Sequence, residues 1–444
     1  MLVRLLVKNL FSFSDETEFN MLPSDIRRLP NHVYKSGKIN LLRSAAIYGA
    51  NGAGKSNLVN VIALLKFILT NGDLTDYRNS FQFRMVNRQS ITVSKIEVEF
   101  LLNKKVYLYG LEFDSSMIHE EWLYLSSVSG GADSVLFHRR LTKTGKLKID
   151  LGNKYKENEK AKVFFEVLED GLLRKDVPLL YQLRDQKFRE FVKVYEWLAE
   201  QILVIYPKSK FMGLPKLSHN ENFIRFTNAI LSTFQTGISK ILIQETDFDL
   251  YFGQDDKETK SHILSALEDD DEYTLDNTTS VVLEGGKPVV KKAVCIHTNE
   301  VGEEIIFDLE EESDGTVRLI DLIPAFYVFK NLNACVFIDE IDQSIHVALL
   351  KELIKKFQDD TETTGQLIFT THESNLLDLD IFRQDEIWFA EKDKNGQTEF
   401  YPLSDFNIRP ELDVKKGYLS GRFGAIPFLG NLRELKWGDH AEAN

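Results

Sequence analysis

Cysteine is scarce in this sequence, since Cys295 and Cys335 are the only two among its 444 residues. Their spacing does not resemble that of zinc ligands. So few thiols in a chain of this length are typical of a protein in a reducing compartment. We therefore expect a cytoplasmic protein without a zinc site.

Long apolar runs are also missing. Nowhere do about 18 uncharged apolar residues follow one another, so no membrane-spanning helix is expected. The apolar start of the chain is interrupted by Arg4 and Lys8, which is typical of a β-strand rather than of a signal peptide. Apolar residues from Phe188 to Ile202 keep helical spacing for a few turns only, so a long coiled-coil arm is not expected.

Positive charge is in deficit, because 54 Lys and Arg residues face 68 Asp and Glu residues. The resulting net charge of −14 does not favour a strongly basic nucleic-acid-binding surface, although it leaves room for a local basic groove. The 43% hydrophobic content is that of an ordinary globular protein.

Apolar periodicity predicts an α/β protein made of three segments. In the first, residues 1–150, alternation of period two over 91–150 predicts an antiparallel meander with turns at Asn103-Lys104 and Gly130-Gly131. The second, residues 151–280, is predicted to be a mainly helical insert with a solvated acidic loop at 255–279. In the third, residues 281–444, buried strands alternate with helices, which predicts a parallel sheet.

The strongest motif is the glycine-rich run from Gly49 to Ser56, which fits the pattern G-x-x-x-x-G-K-[S/T] of a P-loop, or Walker A motif. It lies between an apolar strand, 41–48, and an amphipathic helix that starts near Lys55, as a P-loop requires. Glycines let the backbone N–H groups surround a phosphate, and the helix adds the positive end of its dipole. Lys55 is expected to reach the β- and γ-phosphates, and Ser56 to bind Mg²⁺.

Two further motifs follow apolar strands. The strand beginning at Cys335 ends in Asp339 and Glu340, as in a Walker B motif, where the first carboxylate holds Mg²⁺ and the second polarises water. The next apolar strand ends in Phe369-Thr-Thr-His372, and a histidine there can sense the γ-phosphate. An ordinary partly buried histidine is the alternative interpretation of His372.

A fourth motif, Glu312-Ser313-Asp314-Gly315-Thr316, stands just before a predicted helix. Small residues at a helix N-terminus can bind an anion, and a plain N-cap by Ser313 or Thr316 is the alternative. Gln82 is a further candidate, as the glutamine of a Q-loop.

Together these motifs resemble the ABC/SMC branch of P-loop ATPases, and within it the small AAA/ABC-type ATPases of abortive-infection and anti-phage defence families. The similarity covers roughly residues 1–125 and 290–430. It also includes these blocks: Asn9–Phe13, Asp339–His346, Thr370–Glu373 and Gly417–Ala425. The resemblance implies an ABC-type ATPase head with an antiparallel β subdomain, whose two halves are 1–150 and 281–444.

The resemblance also implies ATP hydrolysis to ADP and phosphate with ATP and Mg²⁺ as cofactors, in a head-to-head dimer or higher homo-oligomer. Its implied site residues are Gly49, Asn51, Gly52, Gly54, Lys55, Ser56 and Asn57 for ATP, Ser56, Asp339 and Gln82 for Mg²⁺, Glu340 and His372 for catalysis, and Ser313, Asp314 and Gly315 as a signature that binds the ATP of a second copy.

Several features depart from the family pattern. About 170 residues separate the two matching regions, and they are expected to be globular, where SMC proteins carry very long coiled coils. The signature begins with Glu-Ser, where many relatives have Leu-Ser. The D-loop position, Ser344–His346, lacks an aspartate, which leaves Asp342 as a substitute or as a plain solvated residue.

Related overcoming-lysogenization nucleases carry a TOPRIM nuclease after such a head. After His372 only 72 residues remain, and they hold no plausible carboxylate set for that chemistry. Glu434-Leu-Lys436 has the form E-x-K, a fragment of a restriction-nuclease motif. This tripeptide is common, and the aspartate that precedes it in that motif is missing here. We therefore expect no nuclease in this chain and a separate effector protein.

The expected function is a sensor and regulatory ATPase of an anti-phage system, which controls an effector such as a nuclease or toxin and responds to a phage protein. The alternative is an SMC-like ATPase of DNA repair or DNA-end binding, for which DNA stimulation and a basic groove are expected. A transporter motor fits the long insert poorly. A RecA-like or GTPase fold is disfavoured, because Walker A and Walker B lie about 280 residues apart.

Overall fold

The structure is a computed structural model that describes residues 1–74, 81–85, 93–127, 131–211, 220–253, 256–268, 270–406, 408 and 412–426. The chain forms two compact units. Unit 1 comprises Met1–Val204 with Leu367–Asn444, and unit 2 comprises Ile205–Gln366. The three-segment division stays a prediction. In the described part of the chain, no helix is long and apolar enough to cross a membrane.

The described strands are β1 Leu2–Lys8, β2 Thr17–Asn20, β3 Val33–Lys35, β4 Asn40–Leu42, β5 Ser44–Tyr48, β6 Ser94–Leu102, β7 Lys105–Phe113, β8 Ile118–Leu125, β9 Ser134–Leu141, β10 Leu147–Leu151, β11 Ile202–Ile205, β12 Ile238–Asp247, β13 Glu272–Thr274, β14 Thr279–Glu284, β15 Lys287–Thr298, β16 Glu304–Asp308, β17 Cys335–Ile338, β18 Gln366–Thr370, β19 Ile387–Lys392 and β20 Thr398–Pro402. The described α-helices are α1 Lys55–Asn71, α2 Asn153–Lys156, α3 Glu159–Val167, α4 Leu179–Gln182, α5 Arg189–Ala199, α6 Glu221–Thr233, α7 Phe248–Phe252, α8 Lys257–Ala266, α9 Asp314–Asn331, α10 Val347–Asp359 and α11 Val414–Leu419.

Unit 1 contains a seven-stranded antiparallel sheet in the order β10-β9-β8-β7-β6-β1-β2. The predicted meander is therefore confirmed. Asn103 and Lys104, with φ of 50° and 63°, form the two-residue turn between β6 and β7, because left-handed residues match the twist of a hairpin. The predicted turn at Gly130 lies outside the described residues. Trp197 of α5 is fully buried and stacks on Phe100, with 4.3 Å between ring centroids.

The second sheet of unit 1 supports the glycine-rich loop. β18 and β19 both pair with β5 in parallel, and β20 pairs with β19 antiparallel. All five residues of β5 are buried, so the strand is an internal one, as its apolar sequence requires. Directly after it, the chain forms the loop 49–54 and enters α1. The apolar residues of this helix are buried from Leu58 onward, as expected of an amphipathic helix. The strand–loop–helix unit thus fixes the loop at both ends.

Unit 2 contains a sheet in the order β12-β15-β14-β13, with β16 also paired to β15. Strand β12 adds ten residues of β structure within 151–280, where helices were expected to dominate. The expected solvated loop at 255–279 is also wrong, because α8 and β13 form there. The reason is a small apolar core in which Ile263 and Leu267 pack with Phe248 and its neighbours. The many acidic residues of this segment therefore made its amphipathic pattern difficult to recognise in the sequence.

Strand β17 of unit 2 is fully buried. Gln366 N donates to Ala334 O at 2.9 Å, and Asp339 N donates to Ile205 O at 2.8 Å. These bonds pair both ends of the strand. They fix the backbone at the point where Asp339 follows the apolar run.

Candidate functional site

The backbone of the glycine-rich loop depends on its glycines. Gly52 and Gly54 have φ of 76° and 102°, in the left-handed region that side chains avoid. A Cβ at Gly54 would collide with the hydroxyl of Thr398, and a Cβ at Gly49 would collide with the carbonyl oxygen of Ala390. At Gly49 and Gly54, other atoms of unit 1 therefore occupy the space that a side chain would need.

Lys55 is 4% exposed, and its ammonium curls back over the loop. Its Nζ donates to Gly49 O at 2.7 Å and to Ala50 O at 3.1 Å. It also lies 3.3 Å from Nδ1 of His372. Since Lys55 and His372 are 317 residues apart in sequence, the fold brings together two of the residues that the motifs singled out.

His372 is exposed and follows directly after β18. The backbone before it is fixed, because Thr371 N donates to Ile47 O at 3.0 Å and Thr371 Oγ1 accepts from Glu373 N at 3.0 Å. The imidazole therefore lies beside the loop, on a stretch of backbone that these hydrogen bonds hold in place. An exposed ring at this place is accessible to a bound group, which a buried structural histidine is not.

A hydroxyl pair that no motif indicated braces the loop from outside. Thr398 Oγ1 donates to Ala53 O at 2.8 Å and lies 2.7 Å from Ser12 Oγ. Ser12 Oγ in turn accepts from Asn57 Nδ2 at 2.8 Å. The block Asn9–Phe13 was noted in the sequence only as part of a resemblance, and its contact with the loop gives it a physical role. The signal for Thr398 is absent from the sequence, because a single threonine on a strand carries no pattern.

We expect Thr398→Val to weaken ATP binding several-fold and to lower the free energy of unfolding by about 1 kcal/mol, because a buried hydroxyl bond to the loop is lost. Thr398→Ser is the matched control, since it keeps the hydroxyl and should bind nearly as the parent does. Fluorescence titration with an ATP analogue and thermal unfolding measure the two effects. Undiminished binding by the valine variant would show that the brace does not set the loop.

The other predicted loop residues differ in their surroundings. Asn51 and Gly52 are exposed, whereas Ser56 and Asn57 are half-buried. The side chain of Asn57 is engaged with Ser12, as described above. Direct contact of these residues with a nucleotide stays a prediction.

Gln82 lies in a short described segment, 81–85, beside the N-terminal loop. The carbonyl of its neighbour Phe81 accepts a hydrogen bond from Phe11 N, one residue before Ser12. Gln82 itself is half-buried. Its assignment to a Q-loop stays a prediction.

In unit 2, the two carboxylates after β17 have different environments. Asp339 is 5% exposed, while Glu340 is half-buried and has a left-handed backbone with φ of 48°. A non-glycine residue in that region costs about 1 kcal/mol, and such residues are concentrated at functional sites. The turn is closed by Gln343 N, which donates to Glu340 O at 3.0 Å.

The segment Ser313–Gly315, which we call the signature segment, begins α9. Ser313 is the N-cap, and its Oγ accepts from Thr316 N at 3.2 Å, so the plain capping interpretation is true of its structure. Ser313 and Asp314 are nevertheless exposed. A Cβ at Gly315 would lie 2.7 Å from Ser344 O, so only glycine lets this helix end approach the turn after β17. Asp342, in the same turn, is half-buried.

The fold and the loop define a P-loop ATPase of the α/β class. Residues 44–378, more than half of the chain, match the family described as "AAA domain, putative AbiEii toxin, Type IV TA system". The chain belongs to this family. The predicted α/β class and the predicted membership in an AAA-type P-loop family are confirmed.

Solved structures of SMC heads are similar to the chain at low identity. An SmcHead bound to the C-winged helix domain of ScpA has a TM-score of 0.45 at 13% identity, over 90% of this chain and 97% of that one. The SMC head domain from Thermotoga maritima has a TM-score of 0.41 at 14% identity, over 90% and 98%. An Smc head domain with an extended coiled coil, bound to the C-terminal domain of ScpA derived from Pyrococcus furiosus, has a TM-score of 0.39 at 15% identity, over 95% and 98%. No curated protein matches.

Proposed function

We propose that the chain is an ATP-hydrolysing switch whose nucleotide joins two copies of the same head. The observation that carries this proposal is the contact of Lys55 with His372 over a loop in which side chains at Gly49 and Gly54 would collide with neighbouring atoms. A buried cation held by backbone carbonyls, beside an exposed imidazole, suits a polyphosphate.

The backbone of the loop is open enough to bind the phosphates of ATP. Among the described residues, no atom beyond the chain neighbours of Gly52 lies within 4 Å of a Cβ added there, which supports room for a phosphate beside this stretch of backbone. Lys55 would exchange its carbonyl partners for the β- and γ-phosphates. Ser56 and Asp339 are the oxygen donors that would hold Mg²⁺, with Gln82 as a further candidate. Bound Mg²⁺ supplies charge neutralisation on the phosphates.

Hydrolysis requires a base and a group that responds to the γ-phosphate. Glu340 leaves β17 in a left-handed turn, and we assign to it the orientation of the attacking water. His372 is exposed beside Lys55, and we assign to it a hydrogen bond to the γ-phosphate that is lost with the product. The loop and the histidine then relax together, which is a ligand-driven change between two states.

The signature segment supplies the contact between copies. Ser313 and Asp314 are exposed at the N-terminus of an 18-residue helix, where backbone N–H groups attract an anion. In a two-fold dimer, each copy offers this helix end to the ATP held by the other. The two sites therefore form only when ATP is bound.

The biological role that we propose is regulation of a separate toxic effector in defence against phage. The description of the family names a putative toxin of a type IV TA system, and this wording supports a role connected with a toxin. The net charge of −14 does not favour a DNA-bound alternative. A trigger such as a phage protein would act by changing the population of the ATP-bound dimer.

A mixing experiment tests the dimer part of this function. Lys55→Ala and Ser313→Arg should each be inactive alone, because one lacks the loop cation and the other blocks the signature segment. Mixed in equal amounts, they should recover about a quarter of the parent's ATP turnover, since half the dimers are mixed and each has one intact site. Ser265→Arg, a change at an exposed position on helix α8 of unit 2, is the matched control for an added arginine and should stay active.

The mixing result separates two arrangements. Recovery of turnover requires that the loop of one copy works with the signature segment of another. If the mixture stays inactive while Ser313→Arg binds ATP normally, the segment acts within its own chain and the proposed dimer is contradicted.

A further inference from the structure

The side chain of Glu312, directly before the signature segment, points into unit 2 rather than into solvent. It is 7% exposed, and its Oε1 lies 2.6 Å from His297 Nε2. The thiol of Cys295 also donates to this carboxylate. Burial, together with the charge of Glu312, raises the pKa of Cys295 to about 12. His297 and Cys295 are two residues apart on β15, so both side chains stand on one face of the sheet.

The main chain between the sheet and the signature segment is short and well bonded. One 3₁₀ turn, Leu309–Glu311, joins β16 to Glu312. Asp308 N donates to Glu311 Oε2 at 2.7 Å, and Glu312 N donates to Leu309 O at 3.2 Å. Ser313 follows at once as the N-cap of α9. A fixed Glu312 therefore leaves the signature segment little freedom at its start.

The ring of His297 is itself held by three strands. Its strand pairs with β12 on one side and with β16 on the other. The ring packs on Phe307 of β16, with 4.7 Å between centroids. Beside β12, an added Cβ at Gly237 would lie 3.4 Å from His297 Nδ1. A shift of either neighbouring strand therefore moves the donor that Glu312 needs.

We propose that His297 and Cys295 are positioning residues that hold the signature segment through Glu312, so that the antiparallel sheet of unit 2 controls dimer formation. The inference rests on the proposed function, because it assigns a regulator to the same segment. A partner or trigger that displaces β12 or β16 would release Glu312 and weaken the ATP-bound dimer without touching the nucleotide.

The test uses the full chain carrying Glu340→Gln, in which ATP is bound but turnover is blocked. His297→Leu should weaken its ATP-dependent dimerisation by about tenfold or more, because a charged hydrogen bond to a buried carboxylate is lost. His297→Gln keeps an N–H donor and should dimerise within about threefold of the parent. Glu312→Gln removes the charge but keeps the shape, and should weaken the dimer by several-fold. His262→Leu is the control for loss of an exposed histidine in unit 2.

Two affinities are measured for each variant: that of the monomer for a fluorescent ATP analogue, and that of the ATP-bound dimer by sedimentation. The proposal requires a weaker dimer with unchanged monomer affinity in His297→Leu and Glu312→Gln, and recovery in His297→Gln. If His297→Leu and Glu312→Gln both dimerise like the parent, this proposal is overturned and the proposed function stands. The same conclusion follows if either variant loses as much affinity for the ATP analogue as for the second copy. If Glu340→Gln itself forms no dimer with ATP, the proposed function fails first and this inference fails with it. Should His297→Leu not fold, Glu312→Gln decides the outcome.

Discussion

ATP turnover by the Lys55→Ala protein is expected to fall by about 100-fold or more, because the loop loses the ammonium that we assign to the β- and γ-phosphates. The lysine is 4% exposed and is already held over the loop by Gly49 O and Ala50 O. Its removal takes a full positive charge away from the place where negative charge develops in the reaction. Steady-state release of phosphate measures the effect.

Lys66→Met is the matched control, because Lys66 lies on the same helix and also donates to a backbone carbonyl, Ile202 O, at 2.7 Å. Burial lowers the pKa of Lys66, so this lysine too is partly withdrawn from water. Its loss should reduce the free energy of unfolding by about 1 kcal/mol and leave turnover within about threefold. Near-parental turnover by Lys55→Ala would mean that the loop does not hold the hydrolysed nucleotide.

Glu340→Gln is expected to lower turnover by about 100-fold while ATP binding stays within about threefold of the parent. The amide has the shape of the carboxylate and keeps the left-handed turn, but it cannot accept a proton from water. Single-turnover hydrolysis and equilibrium binding separate the two steps. Glu352→Gln, the same chemical change at an exposed position on α10, should leave both unchanged.

A Glu340→Gln protein that hydrolyses ATP at the parental rate would remove this residue from the mechanism. Asp339 would then be the remaining carboxylate at the end of β17. Loss of ATP binding in the same variant would instead indicate that the turn after β17, rather than its charge, had been altered.

The sequence predicted most of the elements that present the motifs. The apolar strand expected directly before His372 is found as β18, Gln366–Thr370, and α1 begins at Lys55 as the loop pattern requires. These predictions succeed because an apolar strand followed by glycines is a local signal. The prediction of a solvated loop at 255–279 was wrong for the opposite reason. The few apolar residues of this segment, such as Ile263, are stabilised by packing with residues that are distant in sequence.

The contacts that brace the candidate site were not predictable from one sequence. Ser12 and Thr398 are 386 residues apart, and nothing in either neighbourhood specifies the other. The same holds for His297 and Glu312, which are close in sequence but meet only through the pairing of β15 with β16. Motifs therefore located the candidate site residues, while the residues that brace them could be identified only from the structure.

The most direct test of the account is the solution mass of the Glu340→Gln protein by light scattering, with and without ATP·Mg²⁺. The account predicts a mass near 51.1 kDa without nucleotide and about twice that value with it. Addition of Ser313→Arg should abolish the increase. A protein that stays at the mass of one chain under both conditions would contradict the nucleotide-driven dimer.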